Sequence, residues 1–237
     1  MVVARSTRSY GIRKMRGSFR YKVTVPNDLF EPAGIEQGTR VGVKSLCEDG
    51  CLVLCYTTDL DDTLLTVSAS KHSSGELTIP SAFGAAGQLD DYEIQWELRE
   101  NGEDYELLGF TTLQLPNYNQ QDLGFIDDRN LTHVEQNLQD VKQEHYQLYF
   151  DMGSVEKLGW SSGDDVAIEL CEIEGRVSIQ FNPDTSNANE KSIKTLQDTG
   201  EGQQDLIIYV PNDIVKVLRF DDNFPLLTDS NKLIIGE

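Results

Sequence analysis

The chain has 237 residues, and 38% of them are apolar, which is enough to fill the cores of two compact domains. Its 40 Asp and Glu residues exceed its 20 Lys and Arg, and the resulting formal charge of −20 is typical of proteins from salt-accumulating haloarchaea, with an ordinary acidic cytosolic protein as the alternative. No stretch is long and apolar enough for a signal peptide or a membrane-spanning helix, so we expect a cytoplasmic protein, or a virion component if its role is structural.

The first 27 residues contain seven basic side chains and no acidic one, whereas the rest of the chain contains all 40 acids. The seven are Arg5, Arg8, Arg13, Lys14, Arg16, Arg20 and Lys22. In a chain that is acidic elsewhere, this cluster indicates a negatively charged partner, and nucleic acid phosphate is the obvious one. The alternative is that these cations pair with the protein's own acidic surface or form a solvated tail.

The segment after the basic cluster has the pattern of a strand, a short helix and a hairpin. Alternating apolar residues over 22–25 predict the strand, and Pro26 ends it because proline lacks an N–H group. A short helix is expected over 29–33. Strands over 41–46 and 52–56 then form a hairpin around a glycine-containing turn.

This pattern recurs along the chain. Residues 21–56 align without a gap on residues 146–181, and three turn glycines coincide: Gly34, Gly38 and Gly50 fall on Gly159, Gly163 and Gly175. A looser pair relates residues 75–83 to residues 205–215. Turn glycines are what a shared backbone retains, so the sequence predicts four copies of one strand–helix–hairpin unit.

Between the two halves, the apolar residues Leu131, Val134, Leu138 and Val141 are three or four positions apart. This spacing predicts an amphipathic helix, which either packs on its own domain or links the two halves. We therefore expect a domain over residues 1–113, a partly helical linker over 114–142 and a second, acidic domain over 143–237.

Residues 9–43, SYGIRKMRGSFRYKVTVPNDLFEPAGIEQGTRVGV, resemble the AbrB/MazE-like (SpoVT-AbrB) swapped-hairpin family. The match covers the leading strand with GIRK, a strand that ends in a VIP-type motif, the short helix and a GD-type turn. Residues 66–83 match more loosely, and the later copies match only in outline. The resemblance implies a mainly β fold with short helices, in which four units form two pseudo-dimeric AbrB-like swapped-hairpin barrels in tandem.

In this family the leading strand and its loop bind DNA. The resemblance therefore implies DNA contacts at matching positions of this chain: Arg13, Lys14, Arg16 and Arg20. Lys22 completes the predicted set, and Arg5 and Arg8 are expected to form a flexible basic arm. The second copy keeps only Lys71 and His72 at these positions. The resemblance thus does not imply that one chain contacts DNA symmetrically with two basic segments. Either a homodimer supplies the second basic segment, or the later copies bind protein.

Other reactive residues do not form a recognisable site. Cys47, Cys51 and Cys55 lie four residues apart, but His72 is the only plausible further ligand in this half, so we expect buried strand residues rather than a metal site or a redox pair. The sequence lacks a phosphate-binding glycine loop and a recognisable nucleophile motif. We expect no enzymatic activity and no cofactor.

The sequence thus predicts a DNA-binding regulator of the transcription or partition type. The alternative is a non-enzymatic protein-interaction or structural subunit, such as an antitoxin-like partner or a virion component. A homo-oligomer or a protein partner is compatible with both. A different β fold, such as a jelly roll with a coincidental repeat, is the third interpretation.

Overall fold

A computed structural model describes residues 1–15, 20–60, 65–71, 75–102, 104–129, 131–138, 141–199, 205–220 and 223–236. The fold is mainly β, as the sequence predicted. The chain divides into two compact units. Unit 1 comprises Met1–Leu115 and Lys216–Arg219, and unit 2 comprises Pro116–Val215 and Phe220–Glu237. In the described part of the chain, no helix is both long and apolar enough to cross a membrane.

The first half of the chain forms strands β1 (Val2–Arg5), β2 (Tyr10–Gly11), β3 (Arg13–Lys14), β4 (Tyr21–Val25), β5 (Arg40–Glu48), β6 (Cys51–Thr57), β7 (Thr66–Ser68), β8 (Ser70–Lys71), β9 (Gly75–Ile79), β10 (Glu93–Asn101) and β11 (Asp104–Gln114). Four short α-helices are present among the described residues: α1 (Asn27–Phe30), α2 (Ser81–Ala86), α3 (Met152–Leu158) and α4 (Asn212–Leu218). Single 3₁₀ turns cover Leu89–Asp91 and Gln120–Asp122.

The second half forms strands β12 (Asn117–Tyr118), β13 (Gly124–Arg129), β14 (Thr132–Leu138), β15 (Val141–Asp151), β16 (Asp165–Ile173), β17 (Arg176–Asn182), β18 (Ile193–Thr195), β19 (Gln197–Asp198), β20 (Asp205–Pro211), β21 (Phe224–Asp229) and β22 (Lys232–Ile235).

Unit 1 contains a large sheet of order β1-β10-β11-β6-β5-β7, with β2 beside β10, and a small sheet of order β3-β4-β9-β8. The two copies of the repeat exchange their leading strands. In the first copy, β2 pairs with β10 of the second copy, whereas its continuation β3 pairs with its own β4. In the second copy, β7 pairs with β5 of the first copy, whereas β8 pairs with its own β9. Neither copy completes its sheets alone.

Unit 2 repeats this order of pairing. β13 pairs with β21 and its continuation β14 pairs with β15, while β18 pairs with β16 and β19 pairs with β20. The central strands also match in register: Val23 lies opposite Leu77 in unit 1, and Leu148 lies opposite Ile208 in unit 2. The same connections therefore form from two stretches of sequence with few identities.

The turns explain why the aligned hairpins close in the same way. Asp49 and Gly50 have positive φ values of 52° and 76°, and Glu174 and Gly175 have values of 49° and 83°. Two successive positive φ values are those of a type I′ turn, whose twist matches that of the flanking strands. The hairpins predicted at these glycines are confirmed.

The core of unit 1 lies between its two sheets. Alternate residues of the small sheet, among them Tyr21 and Val23, are fully buried. Two aromatic side chains of the large sheet donate hydrogen bonds to small-sheet carbonyl oxygens: Trp96 Nε1 to Thr24 O at 2.8 Å, and Tyr56 Oη to Thr78 O at 3.3 Å. These bonds fix the spacing of the sheets and satisfy polar atoms that burial would otherwise leave without partners.

The prediction of a helix between the two halves of the chain is wrong, because this segment forms two strands. Three of the four apolar residues at helical spacing lie in β14 and β15, and Leu131 directly precedes β14. The two strands form an antiparallel hairpin with Thr132 opposite Gln147 and Leu138 opposite Val141. The third copy needs a leading strand, and the pairing of β15 with β20 extends this hairpin into a four-stranded sheet. Tertiary pairing thus overrides the local periodicity. The division between the units falls at Leu115–Pro116, so these strands belong to unit 2.

We expect Gly75→Ala to destabilise the protein. A Cβ atom at this position would lie 2.4 Å from Cδ2 of the fully buried Phe30 ring, so the core has to shift, at a cost of about 1–3 kcal/mol. Urea unfolding in concentrated KCl measures the change. Gly11→Ala is the control because a Cβ there meets no atom within 4 Å. Equal unfolding free energies for the two variants would contradict the packing argument.

Candidate nucleic-acid interface

The small sheet of unit 1 carries part of the basic cluster on its outer side. Tyr21, Val23 and Val25 are buried, so the residues between them face away from the core. The strand register places Arg13 beside Lys22. We call this surface the outer face, and it consists of Arg13, Lys22, Thr24, Ser70, Glu76 and Thr78.

Glu76 is the acidic centre of the outer face. Arg13 Nη2 donates to Glu76 Oε1 at 2.6 Å, and Lys22 Nζ donates to Oε2 at 3.3 Å. Burial raises the pKa of Glu76, but the hydrogen bonds and charges of Lys22 and Arg13 outweigh it and hold the pKa below its usual value. Glu76 is therefore ionised at neutral pH. The Arg13 side chain remains 55% exposed and can still contact a ligand.

Lys14 and Arg20 stand on either side of the loop between β3 and β4. The amide of Met15 donates to Arg20 O at 2.8 Å, which holds the two strand ends together. Lys14 Nζ lies 6.0 Å from the centroid of the Tyr21 ring. Both cations are exposed, and neither forms an ion pair within the described residues. Arg16 lies outside the described residues.

The prediction that Arg5 and Arg8 form a flexible basic arm is wrong, because Arg5 lies in a strand of the large sheet. β1 pairs with β10, and Arg5 Nε donates at 2.6 Å to Oε2 of Glu97, whose side chain is only 4% exposed. Glu97 also accepts from Arg99, so a buried carboxylate holds two guanidinium groups. Arg8 lies against Tyr10, with its guanidinium carbon 5.1 Å from the ring centroid. Arg5 thus offsets a buried acid, while its own side chain remains 68% exposed.

Unit 2 differs at the positions equivalent to the outer face. By strand register, Gln147 stands where Lys22 stands, and Ile207 stands where Glu76 stands. The other two central positions carry Tyr149 and Tyr209 instead of threonine. None of these four side chains is charged, so unit 2 does not repeat the basic surface.

The cysteines lie in strands, as expected. Cys55 is buried and packs with Val53 and Leu108, while Cys47 and Cys51 are half-buried beside the hairpin turn. The structure describes all four cysteines, and none of them forms a disulfide bond. The Sγ atom of Cys51 accepts a hydrogen bond from Gln114 Nε2 at 2.6 Å.

Sequence reasoning missed the two acids that control the cations. Glu76 and Glu97 look like ordinary members of an acidic surface, because their pairing depends on strands that lie more than 50 residues away in the chain. A usable signal was alternation: Glu76 is a polar residue between apolar neighbours in GELTI, at the position that Lys22 occupies in YKVTV.

Comparisons with known proteins do not assign this chain to a family. A scan against protein-family models finds no match for this chain. A search of curated proteins and a search of solved structures find no similar protein either. The AbrB-like resemblance of the N-terminal segment therefore stays a prediction.

We expect Glu97→Gln to destabilise unit 1 by about 1 kcal/mol, because it removes the charged acceptor of Arg5 and one of the acceptors of Arg99. The loss is limited because Arg5 is 68% exposed and Arg99 keeps two hydrogen bonds to Glu48. Urea unfolding measures the loss, and hydrogen exchange of the β1 amides reports whether that strand loosens. Glu93→Gln changes the same charge at an exposed position of the same strand. A loss of stability as large in this control would show that net charge, not the ion pair, is responsible.

Proposed function

We propose that this chain is a DNA-binding regulator of the transcription or partition type, and that each of its units has the AbrB-like swapped-hairpin architecture. The exchange of leading strands between paired copies supports the architecture, because barrels of the family that the N-terminal segment resembles are made by two units that swap hairpins. DNA binds at the β3–β4 hairpin of unit 1.

The observation that carries this proposal is the exposed pair formed by Lys14 and Arg20. Both flank one loop, and Arg13 projects from the adjoining strand. Phosphate contacts supply most of the affinity of such surfaces, and each neutralised phosphate adds about −0.9 to the slope of log affinity against log salt. In a protein with a net charge of −20, three exposed cations at one strand end are suited to a polyanion.

A single hairpin gives few phosphate contacts, and concentrated salt weakens each of them. Unit 2 lacks equivalent cations on its central strands, so it does not supply a second basic surface there. A second copy of the chain does. The proposal therefore includes a homo-oligomer that presents two β3–β4 hairpins to one duplex.

A protein-interaction subunit is the second candidate. It is favoured by the positions of unit 2 that are equivalent to the outer face, where the uncharged side chains of Tyr149, Ile207 and Tyr209 are half-buried. Aromatic and aliphatic side chains without charge are typical of the central part of protein interfaces.

The first experiment is a DNA mobility-shift titration at several KCl concentrations with the intact chain and the variant Arg13→Gln/Lys14→Gln/Arg20→Gln. We expect the variant to bind more weakly and its salt slope to fall by about 2–3, because up to three phosphate contacts are lost. The control variant Arg40→Gln/Lys157→Gln/Arg176→Gln removes the same charge from exposed positions elsewhere. No binding by the intact chain at any salt concentration, or equal slopes for both variants, would favour the protein-interaction subunit.

Glu76→Gln provides an independent prediction. Removing this carboxylate releases Arg13 and Lys22 from their ion pairs and makes both available to phosphate. We expect tighter DNA binding and a salt slope that steepens by about 1–2 in the same titration. The matched control is Glu93→Gln, which also removes one acid from unit 1. A salt slope that is no steeper than that of the control would show that the outer face does not contact DNA.

A further inference from the structure

We propose that the β14–β15 hairpin of unit 2 binds a divalent transition-metal ion such as zinc through His133, Glu135 and Glu144. One donor atom from each side chain lies within 4.8 Å of the other two. This site is separate from the outer face of unit 1 and does not depend on DNA binding.

The hairpin register brings the three donors to one side of the sheet. Glu135 lies directly opposite Glu144, and His133 lies directly opposite Tyr146. Because side chains alternate between the two sides of a strand, His133 and Glu135 project on the same side as Glu144 and Tyr146. Regular strand geometry therefore places the donors, without an unusual loop.

The donor set suits a transition metal better than calcium or magnesium, which prefer oxygen ligands alone. Zinc binds imidazole nitrogen and carboxylate oxygen at roughly 2.0–2.2 Å, which separates neighbouring ligands by about 3.4 Å. His133 and Glu135 are exposed, so rotation of their side chains can close the remaining difference, which is at most about 1.4 Å. Three protein ligands leave a fourth position for water or for a group of a partner.

The surroundings also suit a bound ion. Glu135 and Glu144 lie directly opposite each other in the antiparallel pair, so both carboxylates can reach the same ion. Asn212 Nδ2 donates to Glu144 Oε2 at 3.2 Å, which orients this carboxylate. The His133 ring packs against the Tyr146 ring with a centroid distance of 5.1 Å. Such outer contacts hold metal ligands in place.

The neighbouring histidine is not a ligand. His145 alternates to the other side of the hairpin, where its ring packs edge-on against Tyr209 at 4.7 Å. The position of His133 holds a different residue in unit 1. His133 lies opposite Tyr146 in unit 2, and Lys14 lies opposite Tyr21 at the equivalent position of unit 1. The same hairpin thus carries a cation in one unit and metal donors in the other.

The test is a calorimetric zinc titration of the full-length chain, stripped of metal with a chelator and kept in KCl without DNA. We expect one saturable zinc per chain, and at least a tenfold loss of affinity in His133→Gln and in Glu144→Gln. Glu190→Gln, an exposed acid of the same unit, is the control and is expected to bind as the unaltered chain does. Binding that is equal in all three variants, or that does not saturate, would overturn the site.

Imidazole resonances give a second readout that is independent of affinity. The chain has three histidines, and in ¹⁵N-labelled protein we expect zinc to shift the ring signals of His133 but not those of His145. A shift confined to another histidine, or no shift at saturating zinc, would contradict the proposal even if some zinc binds.

Discussion

The antiparallel pairing of central strands, β4 with β9 and β15 with β20, is the contact on which the rest of each unit depends. One copy of the repeat offers a strand, a short helix and a hairpin, which leave an apolar side and a strand edge uncovered. Pairing with a second copy covers both, because each leading strand crosses to the partner hairpin. Joining the copies in one chain makes this association intramolecular, so its strength does not depend on protein concentration.

The pairing of the central strands also favours different charges in the two copies of unit 1. Lys22 and Glu76 occupy related positions on the two sides of the β4–β9 pair, and they form an ion pair with each other. Two identical copies would place like charges there. In unit 2 the same positions hold Gln147 and Ile207, which are uncharged. Because the two copies of a unit belong to one chain, they can carry different side chains at related positions. One copy can then bind a ligand that the other copy does not bind.

Five of the N-terminal cations that the structure describes divide into groups with different physical roles. Arg5 offsets the charge of the buried Glu97 and joins β1 to β10 within the large sheet. Arg13 and Lys22 share the carboxylate of Glu76, so their charge is partly neutralised before any ligand arrives. Lys14 and Arg20 flank the β3–β4 loop. A count of basic residues therefore overstates the charge that is available to a polyanion, and the proposed DNA surface is narrower than the basic segment.

The sequence by itself determined the mainly β class, the repeat and the turns, because alternation and glycine turns are local properties that survive without tertiary contacts. The hairpin turns at Gly50 and Gly175 are examples. Both glycines have positive φ values, which glycine adopts without steric cost, so the turn positions can be recognised in the sequence. Only the tertiary structure decided the state of residues 131–141, where apolar spacing fits a helix but pairing with β20 makes strands. It also decided which cations meet acids, because the register between distant strands, rather than sequence separation, brings Glu76 and Glu97 to their partners.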